Sequence, residues 1–334
     1  MSLTTYGSWN VASADPPHRR RIRERRDSVS LGVMTTGLLP PAPFGRVLTA
    51  MVTAFHADGS LDAEGSARVA EHLAAHGHDG VVVSGTTGES PTTSLEEDGR
   101  LLQAVLEAVG DRLQVVAGIG TNDTAHSVEL AVQAEKLGAH GVLLVSPYYS
   151  KPTQEGLAAH FETVAGASAL PVMLYDIPGR TGVTISEQTY RRVARHDRVV
   201  AVKDAVGDLA RGVRVMRETG LAYYSGDDVL NLGWLTHGGC GVVSVVGHVA
   251  GDAYRSMVDA VDRGDLASAL ATYRDLAPVV EAVMTTAQGA MTAKAALQLL
   301  GILPNRTVRL PLVPADDELV DHLREVLTRA GLLS

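Results

Sequence analysis

From residue 46 onward the chain alternates short β-branched runs with longer amphipathic ones, and no other feature restricts its fold so tightly. The short runs fall at 47–53, 80–84, 115–118, 141–145, 172–175, 199–203, 222–225 and 241–245. Each is brief and almost continuously apolar, as strands of a parallel sheet buried on both faces must be. Between them lie stretches such as 95–109, 124–137, 156–167 and 186–194, in which apolar residues recur three and four apart. Helix starts are marked as well: Thr93 or Ser94 precedes Glu96 and Glu97, and Ser186 precedes Glu187. Hydroxyl and carboxylate there meet the unpaired N–H groups at the positive end of a helix. This alternation predicts an α/β chain. Eight strands with seven intervening helices and one more after the last close most simply into a (β/α)8 TIM barrel. The rival, an open doubly wound sheet, lacks its Gly-x-Gly-x-x-Gly turn after the first strand.

Strand signals stop near Asp265, and helical patterns at 266–276, 290–300 and 316–329 take over. The expected organisation is a weakly ordered tail over 1–43, a catalytic barrel over 44–264 and a C-terminal helical extension over 265–334, packed on the barrel without being a catalytic domain of its own. The tail is rich in Pro, Ser and Arg and carries a basic run at 18–26. No apolar stretch follows that run, so it reads as a solvated tail and not an export signal, with Met34 as an alternative start. A net charge of -9 disfavours a body built for the phosphate backbone of nucleic acid. The apolar runs fall short of the ~20 residues needed to span a bilayer, so no membrane segment is expected. Cys240 is the single cysteine, which excludes an intrachain disulfide or a cysteine-based zinc site and fits a reducing cytoplasm.

In such barrels the chemistry sits at the C-terminal ends of the strands. The sixth strand ends in Lys203 and Asp204 after an apolar run. Alternation puts the two on opposite faces, so the lysine can enter the barrel without its neighbour as counter-ion. Desolvation there would lower its pKa and free a neutral amine to attack a carbonyl. A lysine that merely ends the strand in solvent is the bland alternative. After the second strand, Gly85, Thr86, Thr87 and Gly88 let backbone N–H groups and two hydroxyls converge on a small anion such as a 2-oxo acid carboxylate. The fifth strand ends in Tyr175, placed to point inward and pass protons, below a Pro/Gly-shaped loop carrying Arg180, which can hold a second carboxylate. The fourth ends in the aromatic pair Tyr148 and Tyr149. Other features take plainer readings. His72 and His76 lie four apart on a helix with no third ligand, and read as a solvated face; Cys240 reads as a small residue at a tight strand entry; Asp227 and Asp228 read as caps of the next helix.

Taken in order, Gly85-Thr86-Thr87-Gly88-Glu89, Pro147-Tyr148-Tyr149, Tyr175-Asp176-Ile177-Pro178-Gly179-Arg180-Thr181-Gly182, Val202-Lys203-Asp204, Ser225-Gly226-Asp227-Asp228 and Gly241-Val242-Val243-Ser244-Val245 resemble the dihydrodipicolinate synthase and N-acetylneuraminate lyase family of Schiff-base barrels. The likeness runs from about Arg46 to the C-terminus. It is strongest to the branch that condenses pyruvate with L-aspartate 4-semialdehyde in diaminopimelate and lysine biosynthesis. The resemblance implies that Lys203 forms an imine with pyruvate and that Tyr175 is the acid/base, linked through Thr87 to Tyr149 of a neighbouring subunit. It also implies that Thr86 and Thr87, beside Gly85, hold the pyruvate carboxylate, that the Val243 carbonyl faces the site, and that Arg180 binds the semialdehyde carboxylate. No metal or organic cofactor is implied, since the imine itself stabilises the carbanion. The family pattern further implies a homotetramer built as a dimer of dimers. At the lysine feedback site of some members, Leu95 and Asp98 stand where those carry histidines and His126 where they carry a glutamate, while Asn122 and Tyr148 match; weak or absent inhibition by L-lysine is therefore expected. Competing readings are an aldolase or dehydratase of the same family acting on a sugar acid or N-acetylneuraminate, a non-catalytic oligomeric barrel, and a phosphate-dependent barrel enzyme.

Overall fold

A computed structural model describes residues 41–333, so the expected weakly ordered tail falls almost wholly outside the described residues. Eight strands form: β1 (Val47–Ala50), β2 (Gly80–Val83), β3 (Gln114–Gly118), β4 (Gly141–Val145), β5 (Val172–Asp176), β6 (Val199–Asp204), β7 (Ala222–Ser225) and β8 (Gly241–Ser244). All pair in parallel with their neighbours in chain order, and β1 also pairs with β8, which closes the barrel. The connecting helices are α1 (Ala63–Ala75), α2 (Leu95–Val109), α3 (Thr124–Leu137), α4 (Gln154–Ala165), the short α5 (Pro178–Thr181) with α6 (Glu187–Val193), α7 (Leu209–Thr219) and α8 (Asn231–Thr236). After β8 come α9 (Gly247–Asp262) and a C-terminal set, α10 (Leu266–Met284), α11 (Gly289–Leu299) and α12 (Asp317–Arg329). Among the described residues no helix is long and apolar enough to cross a membrane.

Side-chain alternation along each strand builds two cores at once. Leu48, Val82, Val116, Leu143, Met173, Ala201, Tyr224 and Val243 fill the barrel interior. Their neighbours Val81, Val115, Val142, Leu174, Val202 and Tyr223 turn outward against the helices. Ser94 caps α2 in a reciprocal capping box with Glu97, and Ser186 caps α6.

Two elements differ in extent from the periodicity reading, and the segment read as a Pro/Gly-shaped loop carrying Arg180 forms the short helix α5. The first strand ends at Ala50, because beyond it side chains replace the ladder: the Val52 N–H donates to His248 Nε2, the Ala54 N–H to Ser66 Oγ, and the Thr53 hydroxyl to the Gly88 carbonyl. In the other direction, α10 continues to Met284 through Pro278. Pro278 lies on the exposed side of the helix, while Val279, Val280, Ala282 and Val283 are buried and hold the helix together.

The reading of His72 and His76 as a solvated face is overturned. Their rings lie 4.4 Å apart, half-buried, and His72 Nε2 meets the His248 carbonyl at 2.9 Å. Behind them His78 meets the Thr49 hydroxyl at 2.7 Å, and His248, fully enclosed, accepts from the Val52 N–H at 3.1 Å. Three of these imidazoles, His72, His78 and His248, thus tie α1, β1 and α9 together with hydrogen bonds that suit neutral rings. Burial pulls the pKa of His78 down to about 4 and that of His248 down to about 3. The unfolded chain would protonate these rings below about 6.5, while the folded chain resists until far lower pH. The stability they support is complete above about 6.5 and drains away as pH falls towards about 4. Denaturant midpoints should therefore drop between about pH 7 and about 4.5, with His78 alone accounting for on the order of 3 kcal/mol by the lower end of its titration. Midpoints that stay level across this window would contradict the assignment.

Candidate active site

Burial of charge organises the mouth of the barrel. β5 and β6 pair with Tyr175 directly beside Lys203, so alternation turns both side chains inward at the same height. The Lys203 amine lies 4.3 Å from the centre of the Tyr175 ring, and the lysine is only 4% exposed. Asp204 turns the other way, where its carboxylate accepts from the Val206 and Gly207 N–H groups at 3.0 and 3.1 Å. It is therefore spent on shaping its own loop. Gly226 makes the lysine's position possible, since a Cβ there would sit 2.8 Å from Lys203 Cγ and 2.9 Å from the Asp204 carbonyl.

Desolvation lowers the pKa of Lys203 to about 8; Asp228 opposes the shift and the charge of Arg180 adds to it. Roughly a tenth of the amine is then neutral at pH 7, against less than a thousandth for an ordinary lysine. Burial moves the Tyr175 phenol in the opposite sense, well above its usual range, with Asp227 adding and Arg180 opposing. At neutral pH the site thus pairs a partly neutral amine with a firmly protonated phenol, one able to attack a carbonyl and the other to give a proton.

The loop after β2 is fixed from all sides. The Glu89 N–H donates to the Thr86 carbonyl at 3.1 Å and the Ser90 N–H to the Gly85 carbonyl at 3.3 Å, while Ser84 and Glu89 both take left-handed backbone with φ of 50° and 58°. The carboxylate of Asp98 clamps the Ser84 and Thr93 hydroxyls, each at 2.8 Å. This geometry displays Thr86 and Thr87 towards a cavity with two lobes. Both lobes are bordered by Thr86, Tyr175, Ile177 and Arg180. The inner lobe, about 330 Å³, adds Thr87, Lys203, Gly226, Val245, Met284 and Gln288. The outer lobe, about 300 Å³, adds Ser84, Gly85, Tyr148 and Tyr149.

Of the residues singled out from sequence, Lys203, Tyr175, Thr86, Thr87 and Arg180 therefore meet around one space. Gly85 and Tyr149 border only its outer part. Val243 borders neither lobe; its side chain belongs to the interior layer beneath, and Val245, two residues on, reaches the wall instead. Tyr149 is 90% exposed with φ of 72°, an aromatic ring held out from the loop on strained backbone.

Three contributors were not legible as such. Asp227 does cap the turn that follows β7, through the Val229 N–H, but Asp228 is not a cap. It is a buried hub that collects the Ser244 hydroxyl, the Val245 and Val246 N–H groups, the Tyr254 hydroxyl and the Asn231 amide, and it faces Lys203 electrostatically. Gly226 acts through the side chain it lacks, and the Ser-Gly-Asp-Asp run was the only signal for it. The C-terminal helices, expected to pack on the barrel as a mere appendage, send Met284, Gln288 and Gly289 into the cavity wall. Cys240 is buried at the start of β8, against Tyr224, as a small residue there should be. Among the described residues no group of three or more His, Cys, Asp or Glu side chains is gathered as metal ligands would be.

Against known proteins, residues 43–330 match the Dihydrodipicolinate synthetase family. A 4-hydroxy-tetrahydrodipicolinate synthase of Kineococcus radiotolerans is 59% identical over 297 residues, which is 89% of this chain and 96% of that protein. One of Acidothermus cellulolyticus is 59% identical over 298 residues, again 89% and 96%. Among solved structures, a lysine-bound crystal structure from Cyanidioschyzon merolae described as DHDPS superposes with a TM-score of 0.84 at 40% identity, covering 88% of this chain and 100% of that one.

The depressed pKa of Lys203 can be read without any substrate. Trace acylation followed by peptide mass mapping should show Lys203 labelling rising with pH to a half-point near 8, two or more units below the ~10.4 of an ordinary lysine. A half-point above about 10 would show that the amine is solvated.

Proposed function

The chain belongs to the dihydrodipicolinate synthetase family, and from that membership we propose that it condenses pyruvate with L-aspartate 4-semialdehyde. It is a lyase of diaminopimelate and lysine biosynthesis, on a TIM barrel. The observation that carries the mechanism is the partly neutral amine of Lys203, facing Tyr175 and Thr87 across one cavity.

The amine attacks the ketone carbon of pyruvate, whose carboxylate rests against the Thr86 and Thr87 hydroxyls beside Gly85. Tyr175 gives the proton that lets water leave, and the product is an imine. Loss of a methyl proton converts it to an enamine, which attacks the aldehyde carbon of the second substrate while Arg180 holds that substrate's carboxylate at the mouth. The second substrate's amino group then displaces the lysine from the imine carbon and closes the ring. Overall one water is lost and Lys203 returns unchanged. The imine serves as the electron sink, so neither a metal nor an organic cofactor has a step to perform. The Val243 carbonyl is read as facing the site from the family likeness alone, the residue itself lying in the layer beneath the cavity. Proton traffic between Tyr175 and solvent runs through Thr87 and through Tyr149 of a second copy, which the exposure of Tyr149 supports. The active form is accordingly a homo-oligomer, a tetramer made of two such dimers. It works in a reducing cytoplasm, where buried Cys240 stays a free thiol.

Borohydride added with pyruvate should place the reduced adduct on Lys203 by mass spectrometry, and Lys203→Ala should abolish both adduct and turnover. Adduct formation at another lysine would defeat the mechanism. Tyr175→Phe is expected to slow turnover by roughly 10²–10⁴-fold, the usual span for a general acid–base group. Arg180→Ala should raise KM for the semialdehyde and leave that for pyruvate near its parent value. L-lysine at millimolar concentration should inhibit weakly or not at all, because Leu95 offers no hydrogen bond and the Asp98 carboxylate is already engaged by Ser84 and Thr93. Strong inhibition in a steady-state assay would overturn that expectation.

A further inference from the structure

A second lysine is buried. Lys294, on α11, is 1% exposed, and its amine lies 2.5 Å from Glu89 Oε1 and 2.8 Å from the Thr307 carbonyl to which it donates. The other oxygen of Glu89 accepts from the Arg309 N–H at 2.8 Å. Arg309 itself grips Glu97 with two bonds of 2.8 and 2.6 Å and donates to the Gly59 and Thr92 carbonyls, both at 2.8 Å. The Phe55 ring lies 4.2 Å from the Lys294 amine and 4.3 Å from the Arg309 guanidinium. Every bond of the Glu89 carboxylate therefore goes to the C-terminal extension. Glu89 follows Thr87 by two residues and closes the turn back to the Thr86 carbonyl, so its position sets theirs. Neither Glu89 nor Lys294 borders the cavity, and neither can touch substrate.

We propose that Lys294 and Glu89 are a positioning pair, through which the C-terminal extension holds the Thr86 and Thr87 hydroxyls at the place where the pyruvate carboxylate binds. A buried ion pair is weak evidence for stability, since an apolar pair of the same size often serves as well. Its distinguishing property is direction. A carboxylate held by hydrogen bonds from two segments of the extension cannot shift without exposing a bare charge to an apolar surround. The inference rests on the proposal that these threonines bind pyruvate.

The test compares Glu89→Gln, Lys294→Met and the double variant, which carries no buried charge at the pair and so keeps the comparison readable where Lys294→Met alone fails to fold. The half-saturating pyruvate concentration for borohydride trapping at Lys203 is measured alongside steady-state KM values and melting temperature. Half-saturation should rise by roughly 10-fold or more in Glu89→Gln and in the double variant, with KM for the semialdehyde changed by less than about 2-fold. Folded variants that bind pyruvate as the parent does would show the pair to be structural only and overturn the proposal. A parent chain that pyruvate fails to label would instead overturn the functional reading on which it stands.

Discussion

The desolvation of one ammonium group governs this molecule. Lys203 can lose its proton near neutral pH only because a closed cylinder of strands keeps water from it while the nearest sequence neighbour, Asp204, faces away. Closure is thus a chemical requirement as much as a topological one. In an open sheet the same strand end would lie in a crevice reached by solvent, and the amine would stay charged. Side-chain alternation supplies the other half of the arrangement. Because β5 and β6 pair with Tyr175 opposite Lys203, one inward position on each strand delivers an amine and a phenol to the same height.

Around that amine the protein spends buried carboxylates to freeze loops. Asp98 gathers the hydroxyls of Ser84 and Thr93, Asp228 gathers donors from β8 and α9, and Glu89 is held by Lys294 and the Arg309 backbone. Each is costly to bury and each is repaid by several donors, so the loops they serve have little freedom. The consequence for function is preorganisation: the groups that bind and protonate substrate are set by structure that substrate never touches. Lys294 and Lys203 show how environment separates like residues. Burial depresses both, yet one is bonded to a carboxylate and the other faces an open cavity.

Much of the architecture was legible in local pattern. Every strand begins within one residue of where apolar spacing put it, as do α2, α3, α6, α10, α11 and α12, and the caps at Ser94 and Ser186 mark starts that a hydroxyl followed by acid residues predicts. Errors arose where side chains from far along the chain intervened. β1 stops early because His248 and Ser66 take over its backbone partners. α10 runs through Pro278 because the residues beyond it have a core to enter. His72 and His76 are not solvated because α9 lies over them, and Asp228 is not a cap because β8 and α9 converge on it.

What the sequence by itself determined is everything carried by period and by residue type: eight βα units, the inward parity of Lys203 and Tyr175, and a glycine and hydroxyl loop suited to a small anion. These follow from near-neighbour geometry, which repeats every two or every 3.6 residues and needs no partner to be read. Only the tertiary structure decided which of the candidate groups share a cavity, that the C-terminal extension forms part of its wall, and that Glu89, 205 residues from Lys294, is bonded to it. Such pairings depend on how far closure of the sheet draws distant segments together, and burial, which sets the charge state of each group, exists only once they have met.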